Sequence, residues 1–177
     1  MSREELAKSI YEKSYMVGKY VMQSGKVSNE YFDKYLFESD PKLLMDIATQ
    51  MKELLPEDTE VLAGIEMGGI PVVTALSILS GKKATYVRKH AKQFGTYKLA
   101  EGADVKGKRV CMIEDVVTNS GEIIETVKKL RNRGAIIDTV VCVIARNQHA
   151  KLLLAHEQLT LIPIFTQEDI LKEKMEK

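Results

Sequence analysis

Neither sign of charge prevails in this chain. Its 26 Lys and Arg residues face 25 Asp and Glu, a net charge of +1, so no general attraction to nucleic acid or to a membrane surface is implied. Long apolar runs are also missing, and none approaches the ~20 residues that a membrane-spanning helix needs. The opening residues, Met-Ser-Arg-Glu-Glu, are too charged to begin a secretory signal, and the expectation is a cytoplasmic protein. Cysteine is scarce. Cys111 and Cys142 each sit inside an apolar run, which predicts two reduced core thiols, and the absence of a CxxC pair leaves no zinc pattern. The chain has neither a Walker P-loop nor a GxGxxG sequence, which argues against an NTPase and a dinucleotide enzyme. His90, His149 and His156 are scattered, without the spacing of a metal site or a nucleophile's base.

What is present fits one globular domain over residues 1–177, long enough to enclose a real core at 45% apolar residues. Ser2 and Glu5 form a capping-box pattern, and Leu6, Ile10, Val17 and Val21 then recur at roughly helical spacing. That predicts an N-terminal helix reaching about residue 21. Residues 23–35 switch to a turn and a short aromatic, strand-like piece, which reads as a surface hairpin. Asp40-Pro41 is an N-cap followed by proline at the first helical position, opening an amphipathic helix that ends near Pro56.

Beyond residue 60 strands and helices alternate. Strands are expected at 61–65, 84–87, 110–113, 139–145 and 159–165. Helices are expected at 72–79, closed by Gly81, and from Ile123 to about Gly134. This alternation predicts an α/β fold with a doubly wound, mainly parallel sheet flanked by helices. Residues 1–40 fall outside it and read as an N-terminal helix and small hood on an α/β core of 41–177. Residues 88–108 show no apolar period, and a connection this long in a compact domain is functional or disordered. The first half carries Arg88, Lys89, Lys92 and Lys98, with no acidic residue before Glu101. It is either a solvated basic loop or, over 88–102, a flexible lid that closes on an anion.

The stretch with the most chemistry is residues 110–121. A buried strand is followed by two adjacent carboxylates, Glu114 and Asp115, at the edge where an open parallel sheet places its ligand crevice. Thr118, Asn119, Ser120 and Gly121 then form a small polar turn into a helix, whose N–H groups bind phosphate without a cationic side chain. A sugar phosphate satisfies both halves. Glu66-Met-Gly-Gly-Ile-Pro71 is a second turn whose glycines let backbone approach a phosphate, and Arg146 ends a strand at the same edge, where a guanidinium clamps a carboxylate or lies on the surface.

The run Ile113-Glu-Asp-Val-Val-Thr-Asn-Ser-Gly121 closely resembles the phosphoribosyl diphosphate (PRPP) motif of type I phosphoribosyltransferases. Four further stretches resemble the orotate phosphoribosyltransferases: Ser24-Gly-Lys with Tyr31-Phe-Asp, the 66–71 turn, the run from Val87 to Thr96, and Ile144-Ala-Arg-Asn. The resemblance implies the type I fold and a reaction in which orotate and PRPP give orotidine 5′-phosphate and diphosphate. Magnesium is implied as cofactor, carried by PRPP without a direct protein ligand. It also implies a homodimer, with orotate and PRPP as small-molecule partners and neither nucleic acid nor membrane. By position, Glu114 and Asp115 would hold the ribose hydroxyls, and Val116, Val117, Thr118, Asn119, Ser120, Gly121 and Glu122 would wrap the 5′-phosphate. Arg88, Lys89, Lys92 and Phe94 would meet the diphosphate, and Thr118 and Arg146 would meet orotate. Lys92, Glu114 and Asp115 are the residues on which catalysis would rest.

The match has departures. Phe94 stands where many members carry histidine, Ser120 replaces a common glycine, Glu122 replaces a hydroxyl residue, and Gln23 sits where lysine is frequent, with Lys26 nearby. Two other readings therefore stay open: a non-catalytic PRPP- or nucleotide-binding regulator, and a phosphoribosyltransferase for another base.

Overall fold

The computed structural model describes residues 1–22, 24–95 and 98–173; Gln23 and Thr96 of the sequence reading lie outside them. The core is a six-stranded sheet built from β3 (Val61–Ile65), β4 (Lys83–Val87), β5 (Ala100–Gly102), β6 (Arg109–Val117), β7 (Ile136–Ala145) and β8 (Thr160–Thr166). Its order is β5-β4-β3-β6-β7-β8, parallel except for the antiparallel edge strand β5. The doubly wound, mainly parallel sheet expected from the alternation is what forms.

Period-2 alternation along β6 explains how one strand serves two layers. Cys111 and Ile113 pack with α1 (Arg3–Ser14), α3 (Pro41–Lys52) and α4 (Gly69–Ser80), among Ile10, Ile47 and Leu76. Val110 and Met112 face the other way, toward Ile123, Val127 and Leu130 of α5 (Gly121–Arg131) and Leu154 of α6 (Gln148–His156). Both cysteines are free and buried, as expected, and burial pushes the Cys111 thiol up to about 12.

Local signals were read correctly at several ends. Ser2 and Glu5 make a full capping box, Asp40 caps α3 through the Lys42 and Leu43 N–H groups, and Gly81 closes α4 in the left-handed conformation. The N-terminal helix is a correction. α1 stops at Ser14, and Tyr15–Val21 is β1, paired antiparallel with β2 (Val27–Phe32). A spacing of four places Val17 and Val21 on one helical stripe, but β-branched residues are equally at home in a strand, and a bulge between Val17 and Tyr20 resets the alternation here. In the hairpin both are exposed, at 82% and 77%, so neither belonged to a core-facing stripe. Between β2 and α3 lies a one-turn helix, α2 (Lys34–Glu38), capped by Asp33. The chain ends its described part with α7 (Gln167–Lys172), opened by a Thr166–Asp169 capping box.

Two further expectations shift. β6 runs on to Val117, so the two carboxylates stand within the strand and not just past it. Pairing explains why they still face a crevice: β3 accompanies β6 only as far as Ile113, whereas β7 follows it to Val117. The 88–108 connection also has structure at its base, where Val87 pairs with Ala100 and the Arg88 N–H bonds the Leu99 carbonyl at 2.8 Å. No helix among the described residues is long and apolar enough to cross a membrane.

Candidate active site

From β3 the chain winds through α4 to β4 on one side, and β6 returns on the other. The crevice at the carboxyl ends of β3 and β6 is therefore the point where the winding reverses, the usual ligand position in such sheets. The turn after β3 and the turn after β6 enclose a polar cleft of about 170 Å³. Lys34, Lys89, Glu114, Asp115, Thr118 and Asn119 all line it.

Glycine decides how close these turns come. A Cβ on Gly69 would lie 2.9 Å from the Ile113 carbonyl oxygen, so α4 can start against β6 only without a side chain there. A Cβ on Gly68 would lie 1.8 Å from Asp115 Oδ2 and 2.8 Å from Lys34 Nζ, so the absent side chain is the space those two groups occupy.

Asp115 is 1% exposed and already engaged. Its Oδ1 accepts the Val116 N–H at 2.6 Å, and its Oδ2 lies 2.6 Å from Lys34 Nζ. Burial works to lower the Lys34 pKa, but the hydrogen bond and charge of Asp115 outweigh it and hold the ammonium above its ordinary value. Burial, then the neighbouring Asp115 charge, pushes Glu114 well above the usual carboxylate range. Adjacent carboxylates in one cleft thus differ in kind: Asp115 is ion-paired with Lys34, and Glu114 holds a proton more readily than an ordinary carboxylate.

The turn has the geometry that suits an anion. α5 begins at Gly121 with no side-chain cap on its N-cap residue, so the first N–H groups are left for a ligand. Ser120 has φ −99°, an ordinary conformation that needs no glycine, and its buried hydroxyl has no protein partner among the described residues. Thr118 and Asn119 are exposed, while the Val117 side chain is core and its carbonyl accepts the Arg146 N–H. Glu122, the carboxylate that sits awkwardly in a phosphate turn, lies 3.4 Å from Lys89 Nζ, which offsets its charge.

The other basic loop residues do not line the cleft. Lys92 Nζ is 2.8 Å from Glu101, with Arg88 at 3.8 Å from the same carboxylate, and Phe94 is 71% exposed with Lys92 over its ring. The loop is tethered at the cleft's rim by the Lys89 N–H, which donates to Glu66 Oε1 at 2.7 Å. Arg146 opens on a separate cavity of about 230 Å³ beneath the hood hairpin, together with Tyr31 and Phe32. Its guanidinium stands 5.0 Å from the Phe32 ring centre, and burial lowers its pKa. Thr118 faces the cleft and not this cavity, so the two residues expected to share orotate border adjoining spaces linked by the Arg146–Val117 bond.

Lys34 and Glu38 were not read from the sequence. Their i, i+4 spacing after the Asp33 cap was the available signal, but five residues of helix give no periodicity to find. No group of three or more His, Cys, Asp or Glu that could hold a metal alone occurs among the described residues.

Residues 37–166 match the phosphoribosyl transferase domain family. The orotate phosphoribosyltransferase of Nocardioides sp. (strain ATCC BAA-499 / JS614) is 46% identical over 155 residues, covering 88% of this chain and 87% of the relative. That of Methanocella arvoryzae is 36% identical, covering 89% and 90%. Among solved structures, Mycobacterium tuberculosis H37Rv orotate phosphoribosyltransferase superposes with a TM-score of 0.86 at 29% identity, over 95% of this chain and 98% of that one. A structure of the same enzyme in complex with PRPP superposes at 0.81 with 27% identity, over 95% and 98%. By its residues, its fold and these relatives, the chain belongs to the orotate phosphoribosyltransferase family.

Proposed function

We propose that the chain transfers the 5-phosphoribosyl group of PRPP to orotate, releasing orotidine 5′-phosphate and diphosphate. The observation that carries this is the uncapped start of α5 on the same cleft as Glu114 and Asp115, an arrangement that suits an anion at the turn and a diol at the carboxylates. The 5′-phosphate takes the N–H groups of the turn, with Ser120 Oγ as a further donor. The ribose hydroxyls meet the carboxylate pair. Orotate enters the hood cavity, its carboxylate on Arg146 and its ring against Phe32 and Tyr31.

Breaking the bond from C1 to diphosphate leaves positive charge on the sugar and negative charge on the leaving group. Lys89, Arg88 and Lys92 are the cations within the lid that meet this charge, and closing the lid excludes the water that would hydrolyse PRPP. Magnesium, when bound, neutralises the diphosphate. The cleft's polar lining suits a cation carried in on substrate phosphate, with water between it and the protein. The exposed Val21–Val27 pair of the hairpin suits a second copy in a homodimer. Sedimentation at twice the 19.9 kDa chain mass checks the dimer, and a single 20 kDa species at micromolar concentration would refute it.

The deciding assay is loss of orotate absorbance with PRPP and Mg²⁺. PRPP binding without orotate turnover would overturn the assignment. Arg146→Ala should raise the orotate KM by about 10–100-fold, the worth of one charge-assisted hydrogen bond, and leave the PRPP KM within about twofold. Equal losses for both substrates would mark Arg146 as structural.

A further inference from the structure

At the end of β4 a side chain takes over the pairing that the sheet backbone gives up. β3 and β4 pair as far as Ile65 and Val87, and the Glu66 N–H then donates to the Val87 carbonyl at 2.9 Å. Past that point the β3 chain has turned away toward α4, which begins at Gly69. The β4 chain still has N–H groups that need acceptors. The Arg88 N–H turns to the Leu99 carbonyl, on the side of β5. The Lys89 N–H turns to the other side, where Glu66 Oε1 accepts it at 2.7 Å.

This bond decides where the Lys89 side chain can go. Glu66, Lys89 and Glu122 all line the polar cleft, and the Lys89 ammonium lies 3.4 Å from Glu122 Oε1 in the first turn of α5. The two side chains of that pair are 53% and 45% accessible, and an ion pair so exposed directs a lysine more than it fastens it. A backbone N–H on a carboxylate is the stronger tie, and it fixes the main chain from which the ammonium reaches the cleft. Arg88 and Lys92 differ: their N–H groups bond Leu99 and Lys98, and their side chains rest on Glu101. We propose that Glu66 is a positioning residue, which accepts the Lys89 N–H and so sets the Lys89 ammonium in the cleft to meet the substrate's diphosphate. This rests on the reading of Lys89 above, and it makes the turn after β3 responsible for a cation 23 positions further along.

The test compares Glu66→Met, which keeps the length but has no oxygen acceptor, with Glu66→Gln, whose amide carbonyl still accepts an N–H. Calorimetry measures magnesium diphosphate and ribose 5-phosphate, of which only the first needs Lys89. Glu66→Met should bind magnesium diphosphate about tenfold more weakly, the worth of one charge-assisted hydrogen bond, and ribose 5-phosphate within about threefold of the parent. Glu66→Gln should stay within about threefold for both. A Lys89→Ala background keeps the N–H but lacks the ammonium, and there Glu66→Met should weaken diphosphate by less than about twofold more. Unchanged diphosphate binding in Glu66→Met, or a Gln variant as weak as the Met variant, would overturn the proposal. So would an equal Met effect with and without the Lys89 ammonium, or parallel loss of both ligands, the mark of general loosening. Lys89→Ala that binds magnesium diphosphate as the parent does would instead overturn the placing of Lys89 on the diphosphate, and the proposal with it.

Discussion

Gly68→Ala is expected to lower kcat/KM for PRPP by about a hundredfold while the protein still folds. The added Cβ would fall 1.8 Å from Asp115 Oδ2, 2.5 Å from its Cγ and 2.8 Å from Lys34 Nζ. All three are side-chain atoms, so the chain can relax by turning the carboxylate and withdrawing the ammonium. That relaxation moves Asp115 by about an ångström or more, and a misplacement of that size costs about 10²-fold when geometry carries catalysis. Overpacking of this kind costs about 1–3 kcal/mol, and each kcal/mol lowers Tm by about 2–4 °C in a domain of this size. Steady-state kinetics beside a melting curve separates the two effects. Activity within threefold of the parent would mean that Asp115 does not hold substrate where the structure places it.

Lys92→Ala should act the other way round, on turnover with almost no change in melting. Lys92 and Glu101 form a partly exposed pair, with side chains 26% and 29% accessible, and such pairs contribute about 0–1 kcal/mol. If the ammonium instead serves the departing diphosphate, its loss removes charge stabilisation needed only in the transition state. The expected fall in kcat is about 10²-fold, with both KM values little changed. Single-turnover measurements with PRPP and orotate read it directly. Full turnover in this variant would remove the lid from the mechanism.

How far these residues could be read without coordinates follows from how local their signals are. The run from Ile113 to Gly121 encodes strand, carboxylates, turn and helix start in consecutive positions, so it was legible as a unit. Arg146 and the 88–98 cations were legible as types at a sheet edge, but the spaces they face were not. Arg146 stands beside Phe32, which comes from a hairpin more than a hundred positions earlier. The hairpin was misread because Val17 and Val21 fall at helical spacing by chance, and only pairing with Val27–Phe32 shows the strand and its bulge. Lys34 and Glu38 were invisible for a different reason. Their meaning depends on burial beside Asp115, far along the chain. β5 was missed because three residues carry no pattern, and it exists only as the continuation of β4.

The pairing of Lys92 and Arg88 with Glu101 has a consequence for the order of events. In the free protein the lid's cations already rest on an internal anion. In the proposed reaction an incoming diphosphate would replace one counter-charge with a stronger one, and the energy available for closure would be the difference between two attractions. The exchange also runs in reverse. Once diphosphate departs, Glu101 recovers its partners without leaving bare cations in water, so reopening is favoured by the chain's own charges. In the proposed reaction Glu101 would compete for the lid, setting how readily product leaves as well as how tightly the lid shuts.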